Sequence, residues 1–371
     1  MAEVLAAYNC ALIADMFGDA PCSQAALIDE NGSPVYLTPK MDKQEEIYTQ
    51  AMQYLDDAIA DLQKEDLIDP EAQDLLYQGD AEKWLKLAYG LKARYTMHLL
   101  KRSANKDADM EKVLEYVNNS FESAEEQAAF DVYDANNINP LYGFFVARAG
   151  LGASESMRSK LAEYNDPRLS RAFITKQGTS GKEQAPGTAD NAVYAPNGTP
   201  EQGTSKYGTS LFMYSISAPT LLLSYHELKF LEAEALCRLE RDAKSALKDA
   251  VVAGLLNAEN SFTISRKELG KTLINAASSI TEAEAESYFD NTIEAKYTAE
   301  PLKTTMTQKY FALWGASGEA TESYNDVRRM KGLGENFIEL KNPNSFPLRC
   351  PYGNSDTTTN AEVKAAYGNG Q

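Results

Sequence analysis

The chain has 371 residues, enough to bury a substantial core in one large domain or two modest ones. Its 54 acidic against 36 basic side chains leave a net charge of −18, which repels phosphate backbones and speaks against nucleic acid as a partner. No run approaches the ~20 apolar residues of a membrane helix. The cysteines (Cys10, Cys22, Cys237, Cys350) form no C-x-x-C pair, which excludes a zinc ribbon and the thioredoxin motif.

The opening "MAEVLAAYNCALIADMFGDAP" reads as a helix already under way, without the charged, apolar and small-residue segments of an export signal. Two expectations follow: a cytosolic protein, or a fragment separated from its signal. The helix spans 3–17 and ends where Gly18 and Pro21 interrupt it. Cys10 and Cys237 lie in helical patterns and read as small core residues; a Cys10–Cys22 bridge is the alternative for the first. Residues 42–65 place Ile47, Met52, Leu55, Ile59 and Leu62 on one face of a helix, with charges opposite. Over 80–102, Trp84, Leu87, Leu91, Tyr95 and Leu99 share a face, and Asp80 is an N-cap candidate. A shorter helix follows at 107–119.

From about 120 to 218 the composition turns to Asn, Gly, Pro, Ser and Thr with interleaved aromatics, and only 155–165 reads as helical. A loop of this length in a compact domain is uncommon and points to function. Its aromatics, Tyr142, Phe144, Phe145, Tyr194 and Tyr207 among them, are too many for a solvated linker. Helices resume at about 219–240, 242–256, 266–277, 281–300, 304–314 and 317–330. Residues 331–371 return to loop composition. Short turns such as "GASG" and alanines at Ala233, Ala243, Ala246 and Ala250 suggest tetratricopeptide-like helix pairs, although no strict 34-residue period is present.

The segment "SYHELKFLEAEALCRLERDAKSAL" (224–247) concentrates carboxylates beside His226. Leu228, Leu231, Ala235 and Leu239 mark its buried stripe, and Glu234 with Arg238 forms an i,i+4 pair. An acid–base role for Glu227 and Glu234 needs a third group and a cleft that the sequence does not supply, so a structural role is expected. His98 and His226 have no partner at metal-ligand spacing. Arg328 and Arg329 end a helix, and an arginine clamping one of the acids near residue 227 is the structural reading of that pair. "DANNINP" (134–140) begins like a calcium loop but lacks its glycine and late glutamate, so an Asx-rich turn is the simpler reading and a structural calcium the alternative. The nucleotide-binding, serine-hydrolase and zinc-protease motifs are absent.

Several stretches, taken in order, resemble one family: "ALIADMFGDAPCSQA", "AEKWLKLAYGLKARYTMHL", "NPLYGFF", "YNDPRL", "APTLLLSYHELKFLEAEAL", "QKYFALWGASGEATESYNDVRRMKG" and "FPLRCPYGNSDTTTN". Together they are similar to the SusD/RagB-like nutrient-binding outer-membrane lipoproteins of Bacteroidota. In "ESYNDVRRM", Tyr324 stands where that family often has tryptophan. The resemblance implies an all-α fold, a single domain over 1–371. Its scaffold of tetratricopeptide-like helix pairs lies at 3–119 and 219–330, with a ligand-bearing loop segment at 120–218 and a tail at 331–371. It also implies a cell-surface lipoprotein whose signal and anchor lie outside this chain. Such a protein lids a SusC-like TonB-dependent transporter and captures oligosaccharide or peptide without catalysis. Sugar recognition needs flat apolar faces beside amides, so the ligand residues expected are Tyr142, Phe144 and Phe145 for stacking, Asn136 and Asn139 for hydroxyls, and Tyr207 further along. An α-helical glycosidase and a cytosolic tetratricopeptide scaffold are the competing expectations.

Overall fold

A computed structural model describes residues 1–64, 70–148, 151–177, 183–187, 192–199, 203 and 206–368. Residues 65–69, then 149–150, 178–182, 188–191, 200–202 and 204–205 within the expected loop segment, and 369–371 of the expected tail, lie outside the described residues. Four helices build the first part: α1 (Ala2–Phe17), α2 (Gln44–Leu62), α3 (Ala81–His98) and α4 (Lys106–Asn118). Asp80 caps α3 as expected, its Oδ1 accepting from the Lys83 N–H at 3.1 Å. Neighbours pack in sequence, α1 on α2, α2 on α3 and α3 on α4. Ile47, Leu55, Trp84, Leu87, Leu91 and Tyr95 are buried between them. Helical spacing therefore reported which face of each helix is inside.

The middle segment holds more regular structure than its composition suggests. Strand β1 (Ala128–Phe130) precedes α5 (Pro140–Arg148), α6 (Glu155–Glu163) and α7 (Leu169–Ala172). Strands β2 (Phe173–Gln177), β3 (Glu183–Pro186) and β4 (Thr209–Ser210) form a small antiparallel sheet with β2 central, and β5 (Thr220–Leu223) pairs antiparallel with β1. Helix α5 starts in the expected loop for a local reason. Asn139 Oδ1 accepts from the Leu141 N–H at 2.8 Å, and Pro140 fills the first helical position, where no N–H is needed.

The second scaffold block comprises α8 (Tyr225–Arg238), α9 (Lys244–Leu269), α10 (Glu282–Tyr288), α11 (Glu294–Ala299), α12 (Pro301–Ala312) and α13 (Ala320–Leu333). Three expectations need correction. Residues 220–223 are strand β5, and α8 begins only after Ser224, whose hydroxyl accepts from the Glu227 N–H at 3.0 Å. The separate helices at 242–256 and 266–277 are one helix, α9. The buried Ser265 hydroxyl donates to Leu211 O, Ser261 O accepts from the Ser215 hydroxyl, and the helix stops at Gly270. The stretch 281–300 is interrupted by a π turn over Phe289–Ile293 that buries both of those residues.

Helix α8 packs on α9, α12, α4 and α3, and so joins the two blocks. Gly254 of α9 lets α12 approach: a Cβ there would stand 2.9 Å from the Ala312 Cβ. The tail also contains short helices, α14 (Asn354–Thr359) and α15 (Ala361–Tyr367), and it returns to the start of the chain. Cys350 N–H donates to Met16 O at 2.7 Å, and the rings of Phe17 and Tyr352 stack at 6.0 Å. Between α1 and α2 a narrow hairpin, bridged at Ile28 and Pro34, leaves Leu27, Ile28, Val35, Tyr36 and Leu37 exposed. Among the described residues no helix is long and apolar enough to cross a membrane.

Candidate functional site

The acidic face of α8 is interior. Arg94 Nε donates to Glu227 Oε1 at 3.0 Å and its Nη2 to Oε2, while Arg329 holds both oxygens of Glu234. Arg238 adds a bond to Glu234 at 2.7 Å, and Lys309 sits 2.8 Å from Asp326. Burial favours neutral carboxyls here, but the cations win: Arg94 and Lys309 hold Glu227, and Arg329 and Arg238 hold Glu234, below the usual carboxylate range. Both therefore stay ionised, and neither is poised to move a proton.

Glu319 behaves oppositely. Burial, and then the neighbouring charge of Glu227, push it well above the carboxylate range, which favours its neutral form. His226 lies 3.8 Å away and is pushed down by burial to about 4, so it is neutral. None of the clefts described below is lined by Glu227, Glu234 or Glu319. The expected clamp is present, with Arg329 as the clamping residue. The expected structural role holds, with both carboxylates enclosed by the helices.

The six ligand residues expected from the sequence separate into two groups. Asn139 is 2% exposed, and its side chain is fully engaged, donating to Ala218 O at 2.7 Å and capping α5. Phe145 is 7% exposed and packs edge-on against Tyr214 at 5.1 Å, and Tyr207 is buried with Lys206 over its ring. These three are parts of the packed interior. Asn136, Tyr142 and Phe144 face outward: Phe144 is 50% exposed, and the Tyr142 hydroxyl donates to Glu268 at 3.2 Å. The helix thus divides its aromatics, with Phe145 as the anchor and Phe144 as the free face. In "DANNINP", Asp134 Oδ1 accepts from the Asn136 and Asn137 N–H groups, both at 2.7 Å, which closes an Asx turn. Among the described residues no group of three or more His, Cys, Asp or Glu could hold a metal ion.

A cleft of about 630 Å³ lies between α6, α12 and residues 337–341. Tyr164, Phe311 and Phe337 supply its apolar wall, and Glu163, Asn197 and Lys160 supply polar groups. Burial lowers Lys160, whose ammonium donates to Ser156 at 2.7 Å. This pairing of rings with amide and charge suits a polyhydroxylated ligand. Sequence reasoning did not place these residues together, because they come from four separate segments of the chain. The quoted "YNDPRL" was the nearest signal: Asp166 and Arg168 in it form a buried bidentate pair, and Arg168 also donates to Phe311 O at 2.7 Å.

A family model described as "Starch-binding associating with outer membrane", SusD-like, matches residues 1–352. The chain belongs to the SusD-like family. A SusD/RagB family protein from Bacteroides thetaiotaomicron is 66% identical with a TM-score of 0.93, over 100% of this chain and 77% of that one. At lower identity the likeness is one of fold. A SusD homolog from Bacteroides fragilis is 19% identical (TM-score 0.73, 99% of this chain, 81% of the other), and a chitin-binding protein is 20% identical (TM-score 0.71, 99% and 76%). No curated protein matches. The all-α SusD-like architecture, and membership of a nutrient-binding family associated with the outer membrane, follow from these matches together with the helix pairs described above.

Proposed function

We propose that this chain is a cell-surface capture subunit that binds oligosaccharide and passes it to a SusC-like TonB-dependent transporter in the outer membrane. The observation that carries the reading is the family match over residues 1–352. A neighbour of the same fold is named chitin-binding, which supports saccharide as the ligand class. The full-length protein is a lipoprotein in this reading. Catalysis is not part of it, because the concentrated acids of α8 are clamped and ionised within the core.

The ligand surface we assign is the outer face of α5. Phe144 offers a flat apolar face to a sugar ring, Tyr142 lies beside it, and Asn136 lies in the turn leading into the helix. An affinity-gel and glycan-array screen tests this. Binding without product supports capture, whereas turnover supports a glycosidase. If Phe337→Ala abolishes binding and Phe144→Ala does not, the ligand sits in the α6–α12 cleft and the α5 assignment is wrong.

A further inference from the structure

A second cleft, of about 460 Å³, opens where the ends of α1 and α3 meet α13 and the tail. Its lining is cationic in a chain whose net charge is −18. Lys101, Arg102, Arg328, Arg329 and Arg349 face a single carboxylate, Asp15. That carboxylate is already committed: it lies 3.1 Å from His98 and accepts from the Tyr48 hydroxyl at 2.5 Å. His98 is itself a cation, since Asp15 and Glu322 overcome the effect of burial and carry its pKa to about 10. The surplus of positive charge in the cleft is therefore not neutralised by its own wall.

The cations are held in different ways. Arg349 packs over the rings of both Tyr352 and Tyr367, at 4.9 and 5.0 Å from their centroids. Arg328 donates to Asp15 O and to Asn325 Oδ1. Lys101 and Arg102, in the turn that ends α3, are exposed and have no ion-pair partner among the described residues. Deeper, Arg329 commits its two terminal nitrogens to Glu234 and Asp326, while its buried Nε–H meets no acceptor among the described residues. A buried donor without an acceptor is costly, and an oxyanion is the group that satisfies both it and the rim.

We propose that this cleft binds the carboxylate or sulfate of an acidic saccharide, with Lys101 and Arg102 at the rim and the Arg329 Nε–H at the floor. Its volume is in the range of small-molecule sites and exceeds what a bare oxyanion fills. The saccharide part rests on the capture reading above; the anion part rests on the cleft alone.

Titration calorimetry with a galacturonate trimer, with maltotriose as the neutral control, tests the proposal. The trimer is expected to bind and sulfate to compete. Lys101→Gln/Arg102→Gln should weaken binding about tenfold or more at an unchanged melting temperature, and Lys101→Arg should retain it. Raising the salt from about 0.05 to about 0.3 M should weaken it further. Equal affinity in the double variant, or sulfate binding without trimer binding, overturns the proposal. If neutral glycans bind and the trimer does not, the acidic cleft falls while the capture reading stands. If neither binds, both fall.

Discussion

Arg329 grips Glu234 through both terminal nitrogens, with Nη2 2.8 Å from Oε2, and both side chains are buried. The pair joins α13 to α8, and Asp326 and Arg238 extend it on either side. Removing one partner leaves an uncompensated charge in the core. Glu234→Gln or Arg329→Met should each cost about 3–5 kcal/mol in urea unfolding, and Glu234→Leu/Arg329→Met should recover part of the loss. Single variants within about 1 kcal/mol of the parent, the scale of a surface pair, would show that the pair is solvated.

The two histidines set opposite limits on stability against pH. His98 has a folded pKa of about 10 against an ordinary 6.5, so its contribution is complete below about pH 6.5 and is lost as pH rises through 10. His226 is lowered to about 4, so the unfolded chain takes up the proton first. Its contribution is present above about pH 6.5 and is lost as pH falls through 4. Melting temperatures across this range should therefore fall on both sides. His98→Gln should flatten the alkaline limb and leave the acid limb, and an unchanged alkaline slope would contradict the assignment.

Adjacent residues of α5 should separate binding from stability. Phe145→Ala removes a buried ring and should cost about 3 kcal/mol. Phe144→Ala removes a half-exposed ring and should leave the melting temperature within a degree or so while lowering glycan retention on an affinity gel. If Phe144→Ala destabilises as much as Phe145→Ala, the ring belongs to the core.

The Cys10 and Cys22 sulfurs lie 3.3 Å apart as thiols, at the foot of the exposed hairpin. Their mutual hydrogen bond lowers the Cys10 pKa, which favours the thiolate that attacks a disulfide oxidant. Exchange with oxidised glutathione should link them with loss of both thiol protons. Closing this short loop should stabilise the chain by about 3 kcal/mol at most. Non-reducing peptide mapping checks the linkage, and two free thiols after oxidant treatment would refute it.

Much of the scaffold was legible because burial writes a period into a helix: Trp84, Leu87, Leu91 and Tyr95 announce the inner face of α3, and all four are buried. The N-cap at Asp80 was equally local. Helix α5 was missed although "NP" at its start is a capping signal, because the surrounding Asn and Gly outweighed it. The burial of Glu227 and Glu234 was not legible in the same way. Composition treats a carboxylate as solvated, and the cations that keep these two inside come largely from α3, α12 and α13, from 82 to 133 positions away. For the same reason Tyr164 and Phe337 could not be assigned to one cleft. Tyr324, which stands where the family often has tryptophan, stacks on Phe346 at 5.4 Å, another partner that the sequence does not place beside it.

The interior ion pairs also restrict how the helices can assemble. Two apolar helix faces tolerate a slip of one turn, since one leucine replaces another at modest loss. A slip of α13 along α8 would instead leave Arg329 against a leucine and Glu234 without a cation, each with its full desolvation cost. The scaffold accordingly has one permitted alignment, set from within and independent of what its outer loops contain. Outward positions such as Asn136 and Phe144 can then be replaced without reopening the question of how the helices dock, which makes this chain a usable frame for grafted recognition residues.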